Sequence, residues 1–294
     1  MSANKDVVPE DLYSLDDEEF TFFTSQTGIH DKDELKEHVL KVQAEAYAVH
    51  PYPCILRFVF IKLEISRLPA YEQFLKLGRE RPGAIYLDVG CCFGNDVRKA
   101  VVDGFPVQNA VASDIVPEFW DLGHKLFKSS PETFPVPFLP GDAFDPEFLT
   151  PVAPFYSPPD TPVPTLSSLK NLSPLVGHVS AIHGSLFFHL FDEPGQLQLA
   201  RSLAGLLSPE PGSMIFGVHG GMPQKGQKKE TVLPHERGSM FCHSPESWTE
   251  LWDGQVFKKG SIKVETKLVE LTRDEMLPSE GERFWMLYWS VTRL

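Results

Sequence analysis

Two successive apolar segments of the chain each reach an acid at their end, and a glycine-containing turn follows the first of them. The apolar run from Ile85 meets Asp88 and then enters the turn Gly90–Gly94, and Asp114 ends the next apolar stretch. Glycine lets the backbone approach a ligand closely, because no Cβ stands in the way. Ligands of an open α/β sheet bind beyond the carboxyl ends of its strands. The pattern therefore predicts a nucleotide-type site with Asp88 and Asp114 at its rim.

The spacing of the glycines distinguishes two cofactors. A dinucleotide fingerprint needs Gly-x-Gly-x-x-Gly, so that a pyrophosphate can rest on a helix N-terminus. Counted from Gly90, the second and third glycine positions hold Cys92 and Asn95. S-adenosylmethionine (SAM) carries no pyrophosphate, and its sulfonium and amino groups are cationic, so the acids Asp88 and Asp96 suit it better. The sequence favours SAM over NAD as the cofactor.

Position at the strand ends predicts which part of SAM each residue meets. Asp88, Gly90 and Asn95 are expected to contact the methionine moiety, and Asp114 is expected to bind the ribose hydroxyls. Three adjoining residues complete the expected cofactor-binding set, namely Cys91, Gly94 and Ile115.

Four segments resemble one group of fungal enzymes. They are LDVGCCFGNDVRK at 87–99, VDG at 102–104, FFHLFD at 187–192 and PGSMIFG at 211–217. These segments are similar to fungal class I SAM-dependent methyltransferases of terpenoid and meroterpenoid biosynthesis, whose members methylate hydroxyl or carboxylate oxygens of small metabolites. The resemblance runs from about residue 50 to the C-terminus. It implies O-methylation of a small metabolite, with Asp142 and Ala143 against the adenine. The position of His183 after the fourth strand predicts that it faces the methyl group. The apolar N-terminal helices and the aromatic C-terminus fit an apolar acceptor.

Three histidines fall where a methyl acceptor could reach them. They are His183 after the fourth predicted strand, His219 after the fifth and His243 before the last helical region. A phenol or alcohol must lose its proton on methylation, and a histidine that titrates near neutral pH suits that step. A carboxylic acid is already ionised and needs only a donor that positions it. His183 is the first choice as catalytic base, while the competing role for each histidine is a hydrogen bond to a loop carbonyl or to the cofactor.

Three other functions compete with O-methylation. Transfer to nitrogen or sulfur of a small molecule fits the same pattern almost as well. A non-catalytic protein that binds SAM and serves as an interaction partner is a second alternative, although the intact acids and glycines weigh against it. An NAD-dependent oxidoreductase is a third, but the sequence has no evident Tyr-x-x-x-Lys set for hydride transfer.

Composition and charge limit which classes of partner are expected. The chain has 294 residues, of which 42% are hydrophobic, and a formal net charge of −13. Because nucleic acids and anionic membranes attract proteins through Lys and Arg, neither is expected as a partner. The N-terminus lacks the apolar core of a signal peptide, so a cytoplasmic location is expected. The four cysteines form no CxxC or His-x-x-Cys cluster, and no metal site is expected. The oligomeric state stays open.

The expected fold is α/β, with a Rossmann-like seven-stranded sheet of class I methyltransferase type and an antiparallel last strand. Residues 1–78 are expected to form an acidic, solvated tail (1–19) and a helical cap or lid. Within that cap, one helix is expected near 31–47 and another helical stretch over 55–78, bent or interrupted at Pro69. Residues 79–294 form the SAM-binding domain, with a proline-rich insertion at 145–174. Strands are expected near 84–89, 109–114, 136–139, 178–183, 213–218, 261–272 and 283–292.

Overall fold

A seven-stranded sheet forms the centre of the protein. The computed structural model describes residues 9–228, 239–271 and 283–294. The strand order in the sheet is β3-β2-β1-β4-β5-β9-β8. The described strands are β1 (Ile85–Val89), β2 (Ala110–Asp114), β3 (Phe138–Pro140), β4 (Val179–His183), β5 (Met214–Gly221), β6 (Gly226–Lys228), β7 (Met240–Cys242), β8 (Ile262–Glu270) and β9 (Trp285–Arg293). β6 and β7 pair separately as a two-stranded ribbon.

Strands β1 and β4 lie at the middle of this sheet and are buried along their whole length. They pair in parallel, with Asp88 directly opposite His183. A parallel sheet needs helices on both faces, and its strands are therefore apolar on both faces, as the runs around Leu87 and Ile182 are. The five strands β1 to β5 pair in parallel, so their carboxyl ends meet at one edge.

The last strand confirms the expected sheet type. β9 runs antiparallel to β5 on one side and to β8 on the other. Its apolar run around Trp289 is buried between these two strands, as a segment that is apolar on both faces requires. The polar connection 273–282, expected to be a short link, lies outside the described residues.

Helices cover both faces of the sheet. The described α-helices are α1 (Asp17–Thr27), α2 (Lys32–Val49), α3 (Pro53–Leu56), α4 (Glu64–Arg67), α5 (Tyr71–Glu80), α6 (Asn95–Val102), α7 (Pro117–Leu126), α8 (Glu193–Leu206) and α9 (Pro245–Trp252). None of the described helices is long and apolar enough to span a membrane.

The stretch expected to be helical over 55–78 has more breaks than the one expected at Pro69. This stretch is divided into α3, a 3₁₀ turn at Val59–Ile61, α4 and α5. Pro69 marks one break as expected, but Phe58 makes another by adopting a left-handed backbone with φ of 57°. Phe58 is fully buried, so packing of its ring stabilises a conformation that helix periodicity does not reveal.

The acidic N-terminal segment is ordered where the structure describes it, contrary to the expected solvated tail. Asp16 and Glu19 form a reciprocal capping box at the start of α1. The Glu19 carboxylate is fully buried and lies 2.9 Å from Lys62 Nζ and 2.7 Å from an Arg67 terminal nitrogen. Phe23 is also fully buried and stacks on Phe127, just after α7. Residues 1–8 lie outside the described part of the chain.

The proline-rich stretch separates β3 from β4. All of residues 145–174 are described, and they contain no α-helix or β-strand, only short 3₁₀ turns. The expectation of an irregular insertion holds, but the stretch is more than a surface loop. Phe148, Leu149, Leu169 and Leu172 are buried in the core on the α8 and α9 face of the sheet. Their apolar side chains belong to the same buried cluster as Val179 and Ile182 of β4.

Replacing Glu19 with Gln should loosen α1. The substitution removes a buried negative charge that faces two cations, and we expect the opening free energy of α1 to fall by about 2 kcal/mol, below the usual cost for a fully buried pair because Lys62 and Arg67 are partly exposed. Hydrogen exchange of the α1 amides measures this change.

The exposed Glu193–Lys225 pair supplies the matched control. Glu193→Gln should leave the exchange of α1 unchanged, because an exposed ion pair contributes little. Equal exchange in α1 for Glu19→Gln and the wild type would show that the buried pair does not anchor the helix.

Candidate functional site

The turn after β1 folds against the end of β2. The backbone N–H groups of Gly90 and Cys91 both donate to the carbonyl of Ser113, at 2.8 and 3.1 Å. Gly90 and Gly94 have φ of 71°, and Cys92 has φ of 50°. Alternating left-handed residues turn successive backbone N–H groups in new directions, so the chain can curve around a ligand.

Both glycines of this turn are required by their surroundings. A Cβ on Gly90 would stand 2.9 Å from the ring of Phe187, and one on Gly94 would stand 2.6 Å from Trp120. Any larger residue would also be strained at these positive φ values. The turn therefore lies close under Phe187, which belongs to the loop after β4.

Asp114 projects toward this turn from the end of β2. Its two carboxylate oxygens accept hydrogen bonds from the N–H groups of Cys92 and Val116, at 2.8 and 2.9 Å. Burial raises the pKa of Asp114 despite these bonds. The next residue, Ile115, leaves 59% of its apolar surface exposed. A fixed carboxylate beside an exposed apolar side chain suits a ligand with sugar hydroxyls and a flat ring.

A hydrogen-bonded chain of three side chains runs across the ends of β1 and β4. Asp88 Oδ1 lies 2.7 Å from His183 Nδ1, and His183 Nε2 lies 2.7 Å from Ser185 Oγ. Asp88 and His183 are both buried, and Ser185 is partly exposed. Burial lowers the pKa of His183, but the charge and hydrogen bond of Asp88, together with Asp96 and Glu64, outweigh it and raise that pKa overall.

Acidic groups gather around His183 beyond its partner. Burial raises the pKa of Asp96 to about 7, and burial likewise raises the pKa of Glu64. Among the described residues, Asp88 Oδ2 has no hydrogen-bond partner although it is buried. A buried carboxylate oxygen without a partner is costly. A cationic ligand would satisfy that oxygen and favour ionised Asp96, so the donor set fits a ligand that carries positive charge.

The segment before α5 closes one side of the site. Asn95 Nδ2 donates to the carbonyl of Lys62 at 2.8 Å, and the N–H of Ile65 donates to Asp96 Oδ1 at 3.1 Å. Asn95 thus directs its amide to the N-terminal segment rather than toward open space. It joins this segment to the first turn of α6.

The remaining expected cofactor contacts have mixed placements. The Cys91 side chain is buried, and burial raises its thiol pKa well above the ordinary value. Asp142 is exposed after β3 and accepts a hydrogen bond from the N–H of Phe144. Ala143 packs into the core on the α8 and α9 face. Asp142 and Ala143 therefore follow β3 at the same edge of the sheet as Asp114.

The structure does not bring the three candidate histidines together. His183 lies on the face of the sheet that also carries Ala181 and Phe216, whereas His219 lies on the opposite face against Trp248 and Trp289. Side chains alternate along a strand, so Phe216 and His219 of β5 must point to opposite faces. His219 is inside β5 rather than after it.

His219 and His243 are both held neutral. Burial lowers the pKa of His219 well below its ordinary value, and its Nδ1 accepts a hydrogen bond from Trp289 Nε1 at 2.9 Å. Burial also lowers the pKa of His243 to about 4. Its Nδ1 lies 2.9 Å from Ser247 Oγ. Both rings belong to a buried aromatic cluster, which includes Trp248.

Two residues of the site are absent from the expectations of the sequence. Ser185 follows His183 by two positions, and this spacing would place both on one face of an extended chain. Glu64 comes from the stretch expected to be helical up to Pro69, and no local pattern relates it to β4. Among the described residues, no group of three or more His, Cys, Asp or Glu side chains could hold a metal ion.

Comparison with known proteins agrees with this geometry. A family profile described as the meroterpenoid methyltransferase N-terminal domain matches residues 8–61. The Asnovolin E/Chermesin D methyltransferase nvfJ of Aspergillus novofumigatus (strain IBT 16806) is 35% identical over 88% of this chain and 83% of that protein. The O-methyltransferase phiE of Fungal sp. (strain ATCC 74256) is 30% identical over 81% of this chain and 71% of that protein.

A solved structure shares the fold. The 1,6-didemethyltoxoflavin-N1-methyltransferase of Burkholderia thailandensis superimposes with a TM-score of 0.50 at 14% identity, covering 87% of this chain and 89% of that one. The sheet order with its antiparallel β9 is that of class I methyltransferases, whose methyl donor is SAM. The chain therefore belongs to the family of fungal meroterpenoid methyltransferases and is a SAM-dependent enzyme.

Proposed function

We propose that this enzyme transfers the methyl group of SAM to an oxygen of a small, apolar metabolite, either a hydroxyl or a carboxylate. The partly exposed end of the Asp88–His183–Ser185 chain is the observation that carries the proposal, because it presents a polar group beside the turn after β1. The O-methyltransferase name of a relative that is 30% identical supports oxygen as the acceptor atom.

The charge and the placement of the described residues support a SAM site at this edge of the sheet. Asp114 would hold the ribose hydroxyls, and the exposed face of Ile115 would pack on the adenine, with Asp142 and Ala143 along the same edge. The turn from Gly90 through Cys91 to Gly94 would pass along the methionine moiety by its backbone. Cys91 and Asn95 would contribute through their position in the turn, since their side chains face elsewhere.

Charge around His183 supports a cationic group at this position. Asp88 Oδ2, Asp96 and Glu64 would face the ammonium and sulfonium end of SAM. When bound, SAM supplies an electrophilic methyl group on a positively charged sulfur. The task of the protein is to hold the acceptor oxygen in line with that methyl group, and orientation alone can supply much of the rate.

His183 suits a positioning role better than the role of base expected from the sequence. Both of its ring nitrogens are in hydrogen bonds, and the nearby acids raise its pKa, so the protonated ring is favoured more than in an ordinary histidine. An imidazolium cannot accept a proton from the acceptor. His219 and His243 are buried on the other face in the aromatic cluster, and we assign them to packing rather than to catalysis.

The N-terminal region is proposed to act as a cap on the cofactor. We assign residues 1–78 to a tail and cap, and residues 79–294 to the SAM-binding domain with its insertion at 145–174. The hydrogen bonds of Lys62 with Asn95 and of Ile65 with Asp96 support this assignment, because they join the N-terminal region to the first turn of α6. The cytoplasmic location stays a prediction.

Asp114→Asn should weaken SAM binding by about 10- to 100-fold, because it removes the charge from a carboxylate assigned to two hydroxyls. Isothermal titration with SAM, and with NAD for comparison, measures this loss. Asp145→Asn is the matched control, since Asp145 also caps the turn after a strand by accepting a backbone N–H. Unchanged SAM affinity in Asp114→Asn would contradict the assignment, and no SAM binding by the wild type would overturn the proposal.

The acceptor is tested by transfer from [methyl-¹⁴C]SAM. The panel pairs apolar terpenoid alcohols, phenols and carboxylic acids with the amines of the same skeletons. We expect label in ethers or esters. Label in the amines alone would overturn the oxygen assignment, and label in no member while SAM binds would overturn the proposed metabolite class.

SAM affinity should fall as the pH drops from 7.5 to 6. The pKa of Asp96 is about 7 in the free protein, so lowering the pH neutralises a charge that attracts the cationic cofactor. Titration calorimetry across this range should show the trend in the wild type and a flatter one in Asp96→Asn. Asp121→Asn, an exposed acid on α7, should behave as the wild type.

The free protein should show the opposite trend in stability. The pKa of Asp96 is higher in the folded than in the unfolded chain, so the folded state binds more protons between about pH 4 and pH 7. The contribution of Asp96 to the free energy of unfolding is therefore present at low pH and lost as the pH rises toward 7. Urea unfolding should reveal a weaker decline in Asp96→Asn, and an identical slope would contradict the shifted pKa.

A further inference from the structure

We propose that Ser185 is the side chain that contacts the methyl acceptor, and that its hydroxyl positions the acceptor oxygen by donating a hydrogen bond to it. The inference rests on the proposed methyl transfer and adds to it a residue that orients the substrate. Three observations carry it: the hydrogen-bonded chain, the exposure of its members and the rigid backbone at Ser185.

The chain of hydrogen bonds terminates at Ser185. His183 is 2% exposed and both of its ring nitrogens are in hydrogen bonds, so it has no polar atom left for the methyl acceptor. Ser185 is partly exposed and lies 2.7 Å from His183 Nε2. The serine hydroxyl is therefore the member of this chain that the methyl acceptor can reach.

The backbone around Ser185 is fixed by both neighbouring residues. The N–H of Gly184 donates to the carbonyl of Phe216 at 3.1 Å, and the N–H of Leu186 donates to the carbonyl of Val218 at 2.7 Å. Leu186 has φ of 53°, a strained value for a leucine. Strain of this kind persists where surrounding contacts determine the conformation, and it is frequent at functional sites.

Gly217 of β5 lets this loop approach the sheet. A Cβ at Gly217 would stand 2.7 Å from the carbonyl oxygen of Gly184 and 3.2 Å from the backbone nitrogen of Ser185. On the other side, Phe187 covers Gly90 of the turn after β1. Ser185 is thereby held between the cofactor turn and β5, at the carboxyl end of the parallel strands.

Charge determines the direction of the hydrogen bonds. His183 faces Asp88 from β1, Asp96 from α6 and Glu64 from α4, and these acids favour its protonated form. When the ring is protonated it donates from both nitrogens, from Nδ1 to Asp88 and from Nε2 to Ser185 Oγ. The hydroxyl proton of Ser185 is then directed outward, where a lone pair of the acceptor oxygen can accept it.

The test compares Ser185→Ala with the wild type on the panel member that the wild type methylates fastest. We expect kcat/KM for that acceptor to fall by about 10- to 100-fold, the value of one hydrogen bond with a charged group behind it. SAM affinity and the melting temperature should stay at wild-type values. Ser185→Cys keeps the volume with a weaker donor, and it replaces Ser185→Ala in every comparison if the alanine variant is unstable.

Ser129→Ala is the matched control. Ser129 also bonds a histidine, with its Oγ 3.0 Å from His124 Nδ1, but it lies after α7. This variant should retain wild-type turnover. Turnover of Ser185→Ala within twofold of the wild type would overturn the inference, and so would an equal loss of SAM affinity and turnover, which marks a structural role. An inactive wild type that binds SAM would instead contradict the proposed function itself.

Discussion

The buried hydrogen bond between Asp88 and His183 determines how the site is built. Burying a carboxylate and an imidazole costs desolvation energy, which is recovered only when their geometry is good and their other atoms find partners. Here the direct opposition of the two residues in neighbouring parallel strands supplies the geometry. Ser185 satisfies the far nitrogen of His183, whereas Asp88 Oδ2 remains without a partner among the described residues. The pair therefore carries an electrostatic cost that a cationic ligand at Asp88 Oδ2 would relieve.

The segment of the chain before α5 supplies part of the charge and hydrogen bonding around His183. The N-terminal segment contributes the Lys62 carbonyl, the Glu64 carboxylate and the Ile65 N–H to the first turn of α6. This segment is bound to α1, because Glu19 of α1 forms ion pairs with Lys62 and Arg67. Order in α1 and the charge around His183 are thus connected through a few contacts, and these contacts lie just after the region matched by the N-terminal family profile.

The two faces of the sheet have separate tasks. The face that carries Asp88 and His183 has ionisable groups at the carboxyl edge, and the opposite face is filled by aromatic rings around Trp248, Trp252 and Trp289. His219 and His243 belong to that aromatic cluster. Burial lowers the pKa of both, because it disfavours the charged imidazolium. Proximity of a histidine to a strand end therefore does not by itself indicate a catalytic position.

The sheet type and the cofactor class can be predicted from short segments of the sequence. Short-range signals suffice for these, since the glycine spacing after β1 and the two-sided apolar run of β9 each lie within a few residues. Three features depend on contacts between distant parts of the chain: the division of the 55–78 stretch, the burial of Glu19 and the separation of His183 from His219. Strand register places Asp88 opposite His183. Packing of Phe58 breaks a helix that the local sequence favours. The exposure of Ser185 also depends on tertiary structure, because Asp88 and His183 beside it are buried while its hydroxyl is partly exposed.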